Sequence, residues 1–447
     1  MLQIIQEETN NFTDRINKNT IINILKDFGY EFPLDNIKGV VEESLGLLKT
    51  PFDYQDERTK EIQYLLRRSF ANSGPYNWTT FFKLLNNYGY CIISLHRDIS
   101  TERKPTFKII LNILTNGPLG DELDFLKEKI TIATNNIEQW EQSQFINNKY
   151  AELSEDYTLP NFVEDDFNIA KIFKDKNINQ IIQTIKSSGG MLRRDANSKL
   201  NKYGCTDELL EQLSELNLIH SEYVILCKKS SEQINRVPSK DSIVVLEQHG
   251  IRCRCGKLVS DELIEEILTS TEKSNTMIDG SHWMTVNLVE ALLNIGLPRE
   301  NILVNINDGP EEIDAIVTYK GKILLFELKD SQFSMGHAYA FQSRVGLYQP
   351  TKGVIWAVGG VAPEVKEYFK RANPDADLHY IENVEDIEEG IKDIIDDINW
   401  KIADNVLAPL FAEGFIALNL PKSILYELKE RVPPKDDKLE VAASVEQ

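Results

Sequence analysis

Cysteine is scarce in this sequence, which has five in 447 residues. They are scattered and odd in number: Cys91, Cys205, Cys227, Cys253 and Cys255. Such usage argues against a disulfide framework and indicates a reducing compartment. No apolar run approaches the roughly 20 residues of a membrane span. The opening MLQIIQEETNNFTDRI has early acids and no cationic start before an apolar stretch, which argues against a secretory signal. We therefore expect a cytoplasmic protein with no membrane partner.

Positive charge is also in short supply. The chain has 49 lysines and arginines against 70 aspartates and glutamates, a formal net charge of −21. A freestanding nucleic-acid binder is usually basic, so any affinity for DNA or RNA must be local or come from a partner. Acidity does not exclude a nuclease, because catalytic carboxylates hold a metal and the metal meets the phosphate. A G-x-x-x-x-G-K-[ST] loop is missing, so an ATP-driven step would belong to another protein.

The first 160 residues are predicted to be mostly helical and to form a scaffold or interaction region. The length alone predicts two to four domains of about 100–200 residues each. Apolar residues recur at three- and four-residue spacing in IINILKDFGY, TKEIQYLLRRSF, WTTFFKLLNN and GDELDFLKEKITIATNNIEQWEQ. The segment FKIILNIL is ambiguous between a helix and a buried strand. An acidic stretch that contains Pro160 marks the next boundary.

Residues 165–250 follow the order helix, helix, helix, strand, strand, which resembles a winged-helix module. The helices are predicted in DFNIAKIFKD, INQIIQTIKSSGG and TDELLEQLSELN, the last with Thr206 as its N-cap. The strands are predicted in LIHSEYVILCKKS and DSIVVLEQHG, on either side of a polar excursion. MLRRDANSKLNK is locally basic, so the module is a candidate for nucleic-acid contact, although many small α+β modules share this order.

Residues 251–275 are predicted to be a linker with a short cysteine turn and a helix, SDELIEEILTSTEK. One residue separates Cys253 from Cys255, whereas a zinc knuckle normally has two or more between paired cysteines and needs a second pair of ligands. The nearby candidates for that pair are Cys227 and His249. A reduced pair in a turn is the simpler interpretation, and zinc binding stays open.

Residues 276–400 have a more specific pattern, with the order α-β-β-β-α-β-α-β. Helices are predicted in SHWMTVNLVEALLNIG, HAYAFQSRVGLY and PEVKEYFKRAN, and strands near 300–307, 312–319, 322–329, 353–358 and 377–382. This order predicts a mixed sheet flanked by helices. The KILLF run of the third strand has no polar alternation, so we expect that strand to be central. Residues 401–447 are predicted to form a helical extension and an acidic tail.

Charged residues begin abruptly at the end of that buried strand. Glu327 and Lys329 are two residues apart, so both side chains point the same way, and Asp314 lies on the neighbouring strand of the predicted hairpin. Phosphodiester hydrolysis needs an activated water and charge neutralisation, and a divalent ion held by carboxylate oxygens supplies both. The same charges could form a solvent-facing stripe on an edge strand, but the apolar run before them favours a site.

Asp314, then twelve residues, then Glu327-Leu328-Lys329 resembles the PD-(D/E)XK nuclease superfamily, which includes restriction endonucleases. The resemblance covers roughly residues 276–400. It implies a restriction-endonuclease-like fold in which Asp314 and Glu327 hold Mg²⁺ or Mn²⁺. Lys329 would orient the attacking water or stabilise charge, and the Leu328 carbonyl would be a further ligand. The family's leading proline is absent, since Glu312 and Ile313 precede the aspartate.

The flanking helices carry further candidates. Gln342 lies on the helix after the motif, where Mrr-like relatives often have a glutamine that touches phosphate or water; a surface glutamine is the alternative. Three lesser candidates lie on the same helix: His337, Tyr339 and Arg344. Thr285 stands where many relatives place a glutamate on the first helix, and Glu290 is predicted to lie on the solvated side. The site would therefore bind one metal, or bind it weakly.

The function expected from these features is metal-dependent endonuclease activity, on DNA more than on RNA. The layout of accessory region plus C-terminal nuclease is similar to that of bacterial restriction and antiviral defence proteins. A second copy or another protein would supply positive surface, because few basic clusters are present: Arg67-Arg68, Arg193-Arg194 and Lys228-Lys229. The alternatives are a non-catalytic interaction subunit with a nuclease fold and a winged-helix regulator. The acidity and Thr285 favour the former, and the acidity disfavours the latter.

Overall fold

The structure is a computed structural model of the chain. It describes residues 2–10, 16–30, 79–85, 89–98, 106–117, 121–134, 140–142, 147–155, 157–308, 311–372, 376–385 and 387–407. Two compact units are present, one of residues 1–145 and 392–447 and one of residues 146–391. The described residues form helices and three β-sheets, a multidomain arrangement of the α plus α/β type. None of the described helices is both long enough and apolar enough to cross a membrane.

The first unit is built on one antiparallel sheet. Its strands are β1 (Gln3–Thr9), β2 (Thr79–Leu85), β3 (Gly89–Asp98), β4 (Thr106–Thr115) and β5 (Trp140–Gln142), in the order β2-β3-β4-β1-β5. Helices α1 (Ile16–Asp27) and α2 (Glu122–Thr134) pack on it. Their buried side chains, among them Ile21 and Leu126, join Ile93 and Ile109 of the sheet in one core. This unit therefore has its own sheet and core.

The prediction that residues 1–160 are mostly helical is wrong for much of the described part. WTTFFKLLNN contains β2 instead of a helix, and the ambiguous FKIILNIL lies in β4. A three- and four-residue spacing of apolar side chains did not separate the two states here, and pairing of β2 with β3 along its length decides for a strand. The helix predicted in IINILKDFGY is confirmed as α1. The helix predicted in GDELDFLKEKITIATNNIEQWEQ is confirmed as α2 in its first part, but its last three residues form β5. TKEIQYLLRRSF lies outside the described residues.

The second unit begins with a helical segment and a small sheet. The helices are α3 (Asn148–Ser154), α4 (Glu164–Ile172), α5 (Lys176–Ser187), α6 (Arg193–Lys199), α7 (Asp207–Glu215), α8 (Lys240–Gln248) and α9 (Glu272–Ile278). The strands are β6 (Met191–Leu192), β7 (Ile219–Leu226), β8 (Gln233–Val237) and β9 (Leu263–Ser270), antiparallel in the order β6-β9-β7-β8. The predicted cap of α7 is confirmed, because Thr206 Oγ1 accepts a hydrogen bond from the Leu209 amide at 3.2 Å.

Two element predictions in this segment are wrong. DSIVVLEQHG contains helix α8, which Ser239 caps by accepting a hydrogen bond from the Ser242 amide at 3.3 Å. SDELIEEILTSTEK contains strand β9, because pairing with β6 on one side and β7 on the other overrides the helical propensity of its leucines and glutamates. The second strand of the module is instead β8, within the stretch predicted to be a polar excursion.

The third sheet follows in the same unit. Its strands are β10 (Ile302–Asp308), β11 (Glu311–Tyr319), β12 (Lys322–Lys329), β13 (Lys352–Ala357) and β14 (Asp377–Ile381), and they lie in sequence order. Its helices are α10 (His282–Asn294), α11 (Met335–Tyr348) and α12 (Pro363–Ala372). The first two strand pairs are antiparallel and the last two parallel. The helices and strands predicted between residues 282 and 382 are confirmed.

The central strands of this sheet are buried, as the KILLF run predicts. Every residue of β13 is buried, and so is β12 between its two terminal lysines. The indole rings of Trp283 on α10 and Trp356 on β13 meet edge to face at 6.1 Å. Phe333, Phe341 and other side chains of the α11 side fill a second part of the core. Polar side chains that end β12 are therefore held at the margin of a rigid core. Helix α13 (Ile387–Leu407) follows.

Candidate active site

Asp314 leaves the regular strand ladder on both sides. On the β10 side the pairing runs from Val304–Ala315 to Ile306–Ile313, and the intervening Asn305 has a left-handed φ of 51°. On the β12 side the pairing ends at Ala315–Phe326. Two residues further along β12, the Leu328 amide donates instead to Asp314 Oδ2 at 2.6 Å. This hydrogen bond fixes the aspartate against the end of β12.

The three residues of the predicted motif come together. Lys329 Nζ lies 3.1 Å from Glu327 Oε1 and 3.9 Å from Asp314 Oδ2. The Glu327 side chain is only 3% exposed, whereas the Lys329 side chain is 28% exposed. Leu328 points to the core between them and is buried. Two carboxylates therefore lie beside one ammonium group. The cluster is buried where Glu327 faces the sheet and is exposed to solvent at Lys329.

Arg344 of α11 is the fourth charged member of this cluster. Its Nη1 donates to Glu327 Oε2, and its side chain is mostly buried. The two negative and two positive groups of the cluster balance in charge. The buried carboxylate of Glu327 is therefore paired with cations that also donate hydrogen bonds, which offsets the cost of its burial. The sequence contains one signal for this position of Arg344. Arg344 lies seven residues after His337 and therefore on the same side of the helix.

The protonation equilibria reflect the crowding of these groups. Burial, then the charge of Glu327, raises the pKa of Asp314 from 3.8 to about 6. Burial opposes the charge on Lys329, but the carboxylates of Glu327 and Asp314 outweigh it and raise the lysine pKa. Burial, then the charge of Lys329, lowers the pKa of His337. The site therefore favours a cationic lysine beside an aspartate that accepts a proton easily.

Gln342 is not joined to the three motif residues by any hydrogen bond within the described parts of the chain. It lies two positions before Arg344, and two residues turn an α-helix by about 200°, so the two side chains leave opposite flanks. Its Oε1 is enclosed and has no hydrogen-bond partner. The prediction of a catalytic role for Gln342 stays a prediction, and Arg344 is the residue of α11 that contacts the acids.

The remaining helix candidates have other contacts. His337 Nδ1 accepts a hydrogen bond from the Ser334 amide at 3.1 Å and so caps α11. Tyr339 is exposed and packs edge to face on Tyr368. Thr285 is buried in α10. Glu290 Oε1 pairs with Lys171 Nζ at 2.6 Å, so its side chain is mostly covered by that ion pair and is not a fourth member of the site.

A cavity of about 180 Å³ lies beside the strand that carries the motif. Asp330 and Ser331, which follow Lys329, line one side of it together with Trp283. Lys174 and Lys176 line the other side, with the polar side chains of Asn179, Gln180 and Gln183. None of the three motif residues lines this cavity, and Trp283 packs on Trp356, which is in register with Leu328 rather than with Glu327 or Lys329.

A second cluster of chemically competent side chains lies elsewhere in this unit. Ligand atoms of Cys227, Cys253, Cys255 and Glu262 all lie within 4.8 Å of one another. The sequence indicates the cysteine pair, with Cys227 and His249 as candidate partners, but gives no signal for Glu262, which lies in a stretch predicted to be helical. His249 is exposed and is not one of the four.

A pH-dependent stability follows from the raised pKa of Asp314. The folded-state value of about 6 lies above the ordinary 3.8, so between these values the folded chain holds a proton that the unfolded chain has lost. Stability should therefore fall as the pH rises from about 4 to about 6, by about 3 kcal/mol in all. Asp314→Asn should remove this dependence.

Thermal unfolding of both proteins in chelator, from about pH 4 to about pH 7, would show how each transition temperature changes with pH. Exposed Glu312, on the same strand, gives the control variant Glu312→Gln, which should keep the wild-type dependence. Parallel curves for wild type and Asp314→Asn would contradict the prediction.

Comparison with known proteins adds little to this geometry. No protein-family model matches the chain, and no curated protein matches it. Among solved structures, it is similar to the crystal structure of protein VC1899 from Vibrio cholerae, with 10% sequence identity and a TM-score of 0.27. The match covers 57% of this chain and 57% of that one, so the chain spans little more than half of the protein it matches. At this score no fold or function is transferred between the two proteins.

Proposed function

We propose that the chain is a metal-dependent nuclease of the PD-(D/E)XK type that hydrolyses phosphodiester bonds, of DNA more readily than of RNA. The observation that carries the proposal is the contact of Asp314, Glu327 and Lys329 at the ends of adjacent central strands. Solvent-facing charges on an edge strand would not combine a nearly buried glutamate with two basic partners. Buried, coupled ionisable groups of this kind are typical of catalytic sites.

The sheet that carries these residues supports the proposal. A hairpin, β11 and β12, is followed by helix α11 and the parallel strand β13. This is the order that the resemblance to restriction endonucleases implies. In the segment before it, the helices α4 to α7 precede the antiparallel pair β7 and β8, which is close to the helices-then-strands order expected of a winged-helix module. Arg193 and Arg194 of that module pair with Asp207 and Glu265, so its positive charge is largely neutralised internally.

The oxygens at the site fit a hard divalent cation. Asp314 Oδ2 is held by the Leu328 amide, while its Oδ1 accepts no hydrogen bond from the described residues. The two carboxylates also repel each other, which a cation between them would relieve. Asp314, Glu327 and the Leu328 carbonyl are the groups that would hold Mg²⁺ or Mn²⁺. When bound, such an ion lowers the pKa of a water and neutralises phosphate charge.

The protein's own groups would then have separate tasks. The partly exposed ammonium group of Lys329 would orient the attacking water or offset charge on the phosphate. Glu327 holds that ammonium group in place, and Arg344 holds Glu327. Restriction or antiviral defence in a bacterium is the proposed setting, and it rests on the layout of the chain alone.

The ion pair between Arg344 and Glu327 favours one alternative, a non-catalytic interaction subunit. It neutralises the buried acid without any metal, so the four charges could persist as a structural network. A cation at Glu327 would have to share or displace the guanidinium. The two functions differ in a measurable way, because a nuclease needs the cluster for turnover and an interaction subunit needs it only for stability.

The experiment is a cleavage assay of the purified full-length chain with Mg²⁺ or Mn²⁺. Substrates are supercoiled plasmid, linear duplex, single-stranded DNA and RNA, each across a range of protein and salt concentrations. We expect metal-dependent cleavage whose rate rises more than in proportion to protein concentration. A net charge of −21 opposes binding of DNA by a single copy, and cutting both strands of a duplex needs two sites. Sedimentation measures the self-association directly.

Glu327→Gln shows how much cleavage comes from a contaminating nuclease. Glu312→Gln is the matched control, because Glu312 is exposed and lies on β11. Cleavage that is lost with the first variant and kept with the second supports the proposal. Equal cleavage by Glu327→Gln, or none by the wild type on any substrate at any concentration, would instead support the interaction subunit. A strictly monomeric chain that binds and cuts duplex DNA tightly would contradict the expected self-association.

A further inference from the structure

Three cysteines and one glutamate meet in the excursion between β7 and β9. Cys227 follows the last residue of β7, and Glu262 immediately precedes β9. Cys253 and Cys255 occupy a turn that the bridge between Arg252 and Leu258 closes. Their ligand atoms all lie within 4.8 Å of one another. Tetrahedral zinc bonds of about 2.3 Å to sulfur and about 2.0–2.2 Å to oxygen place the ligands roughly 3.5 Å apart. Small side-chain rotations would close that difference.

The backbone already directs these groups toward one point. The Gly256 amide donates to the Cys253 carbonyl at 2.8 Å, and Gly256 has a φ of 95°, so a tight turn presents both cysteines. The Cys255 amide lies 3.5 Å from Cys253 Sγ, a contact that stabilises a thiolate. The β7–β8 connection is a second turn, in which the Ser231 amide donates to the Cys227 carbonyl at 2.7 Å.

Glu262 is the observation that points most directly to a cation. It is 4% exposed, and no lysine, arginine or histidine pairs with it among the described residues. Its two oxygens meet the Lys228 amide at 2.7 Å and Cys255 Sγ at 2.8 Å. A buried carboxylate whose hydrogen-bond partners are an amide and cysteine thiols is costly, and a bound cation would compensate its charge. The amide holds one oxygen, and the other is turned toward the thiols.

We propose that Cys227, Cys253, Cys255 and Glu262 bind one Zn²⁺ ion as a structural site. Three thiolates select a thiophilic metal and exclude Mg²⁺ and Ca²⁺. All four tetrahedral positions are filled by protein, so no position is left for a substrate water and the ion is structural. The four ligands leave a net charge of −2 on the bound ion. Basic residues flank them in sequence and balance it: Lys228, Lys229, Arg252, Arg254 and Lys257.

The excursion needs such a link because its apolar core is small. Only Ile225, Val237, Ile243 and Val259 are buried in the local cluster. Segments of this size usually depend on a metal or a disulfide for a fixed structure. The ion would tie the β7–β8 turn, the cysteine turn and the start of β9 together. It would thereby fix the projecting part of the winged-helix-like module independently of nuclease activity.

The test measures metal in the reduced full-length chain, purified from zinc-supplemented cells. We expect about one zinc ion per chain by elemental analysis. Cys253→Ser should lower zinc affinity by at least about 100-fold, more than the loss of an outer-shell group. Cys205→Ala is the matched control, because Cys205 is a buried free thiol of the same unit outside the cluster. Trypsin cleavage at Lys228, Lys229 and Lys257 should rise at least about tenfold on chelation and fall again with zinc.

Cobalt substitution keeps the proposal testable if Cys253→Ser unfolds the excursion. Cys255 is the exposed thiol of the set, and Cys255→Ser should remove about one third of the thiolate-to-cobalt charge-transfer intensity. Glu262→Gln should keep that intensity and weaken binding. Absence of zinc and of any cobalt band in the reduced chain would overturn the proposal. So would equal metal content in Cys253→Ser, iron in place of zinc, or a disulfide among the three cysteines in protein alkylated before reduction.

Discussion

Replacing Lys329 with methionine should lower the rate of metal-dependent cleavage by about 1,000-fold or more while the chain stays folded. Methionine keeps most of the apolar stem and removes only the ammonium group. That group lies 3.1 Å from Glu327 Oε1 and 3.9 Å from Asp314 Oδ2, and it is the most exposed member of the charge cluster. A substrate phosphate or water can therefore reach it, whereas Glu327 is nearly enclosed.

The reduction should appear in the turnover rate more than in substrate affinity. Lys329 is one of two basic groups in the cluster, the other being Arg344. Binding of a polyanion depends on the sum of such charges, but charge that develops on the phosphate during reaction is met only by groups placed at the reacting centre. Single-turnover rates at saturating enzyme, together with a separate binding measurement, distinguish the two effects.

Lys322→Met is the matched control, because Lys322 begins the same strand and is also half-buried, at the end away from the acids. It should cleave at the wild-type rate. Equal rates for Lys329→Met and Lys322→Met would show that the ammonium group has no part in turnover. If the wild-type protein does not cleave and Lys329→Met alone loses much stability, the cluster is a structural network.

The sheet around this site could be predicted because local pattern and tertiary environment agree there. KILLF is apolar throughout, and β12 is paired on both sides and covered on both faces. The two-residue period then fixes the side to which Glu327 and Lys329 point. The sequence ranks Arg344 only as a lesser candidate, because its contact with Glu327 depends on how α11 lies across the sheet, and no local pattern contains that information.

Strand pairing explains two of the errors. SDELIEEILTSTEK has helical spacing, but β9 pairs on both sides with strands that are distant in sequence. WTTFFKLLNN also has helical spacing, but β2 pairs along its length with the adjacent β3. Pairing over a long sequence separation also explains the cysteine cluster. Cys227 and Cys253 meet only because β7 pairs with β9 and the excursion folds back on itself. A spacing rule that considers the C-x-C pair alone cannot detect this ligand set.

A second large effect is expected at Gly359, which lies just beyond β13. The loop that follows Lys329 packs directly on it. The Val358 amide donates to the Lys329 carbonyl at 2.9 Å, and the Gly359 amide donates to the Ser331 carbonyl at 3.3 Å. A Cβ atom at position 359 would lie 2.3 Å from the Gln332 nitrogen and 2.5 Å from the Ser331 carbonyl carbon. These are backbone atoms, so no side-chain rotation can relieve the clash.

Gly359→Ala should therefore destabilise the second unit by about 3 kcal/mol and reduce cleavage together with stability. The two strand ends would have to separate, and the backbone after Lys329 would move away from the acids. Gly346→Ala is the matched control, because Gly346 is exposed in α11 and a Cβ atom there would meet nothing within 4 Å. Alanine at that position should stabilise the helix by about 0.5–1 kcal/mol.

Urea unfolding gives the free energies of unfolding of the two glycine variants, and hydrogen exchange of peptides from β12 and β13 locates the change. Protection should fall in these peptides of Gly359→Ala, because the hydrogen bonds of Val358 and Gly359 to the loop after Lys329 are the ones that the added methyl group would break. Equal protection in Gly359→Ala and wild type would show that the loop and strand do not pack as closely as the structure has them. The position assigned to Lys329 would then have to be revised, since its carbonyl is held by that same contact.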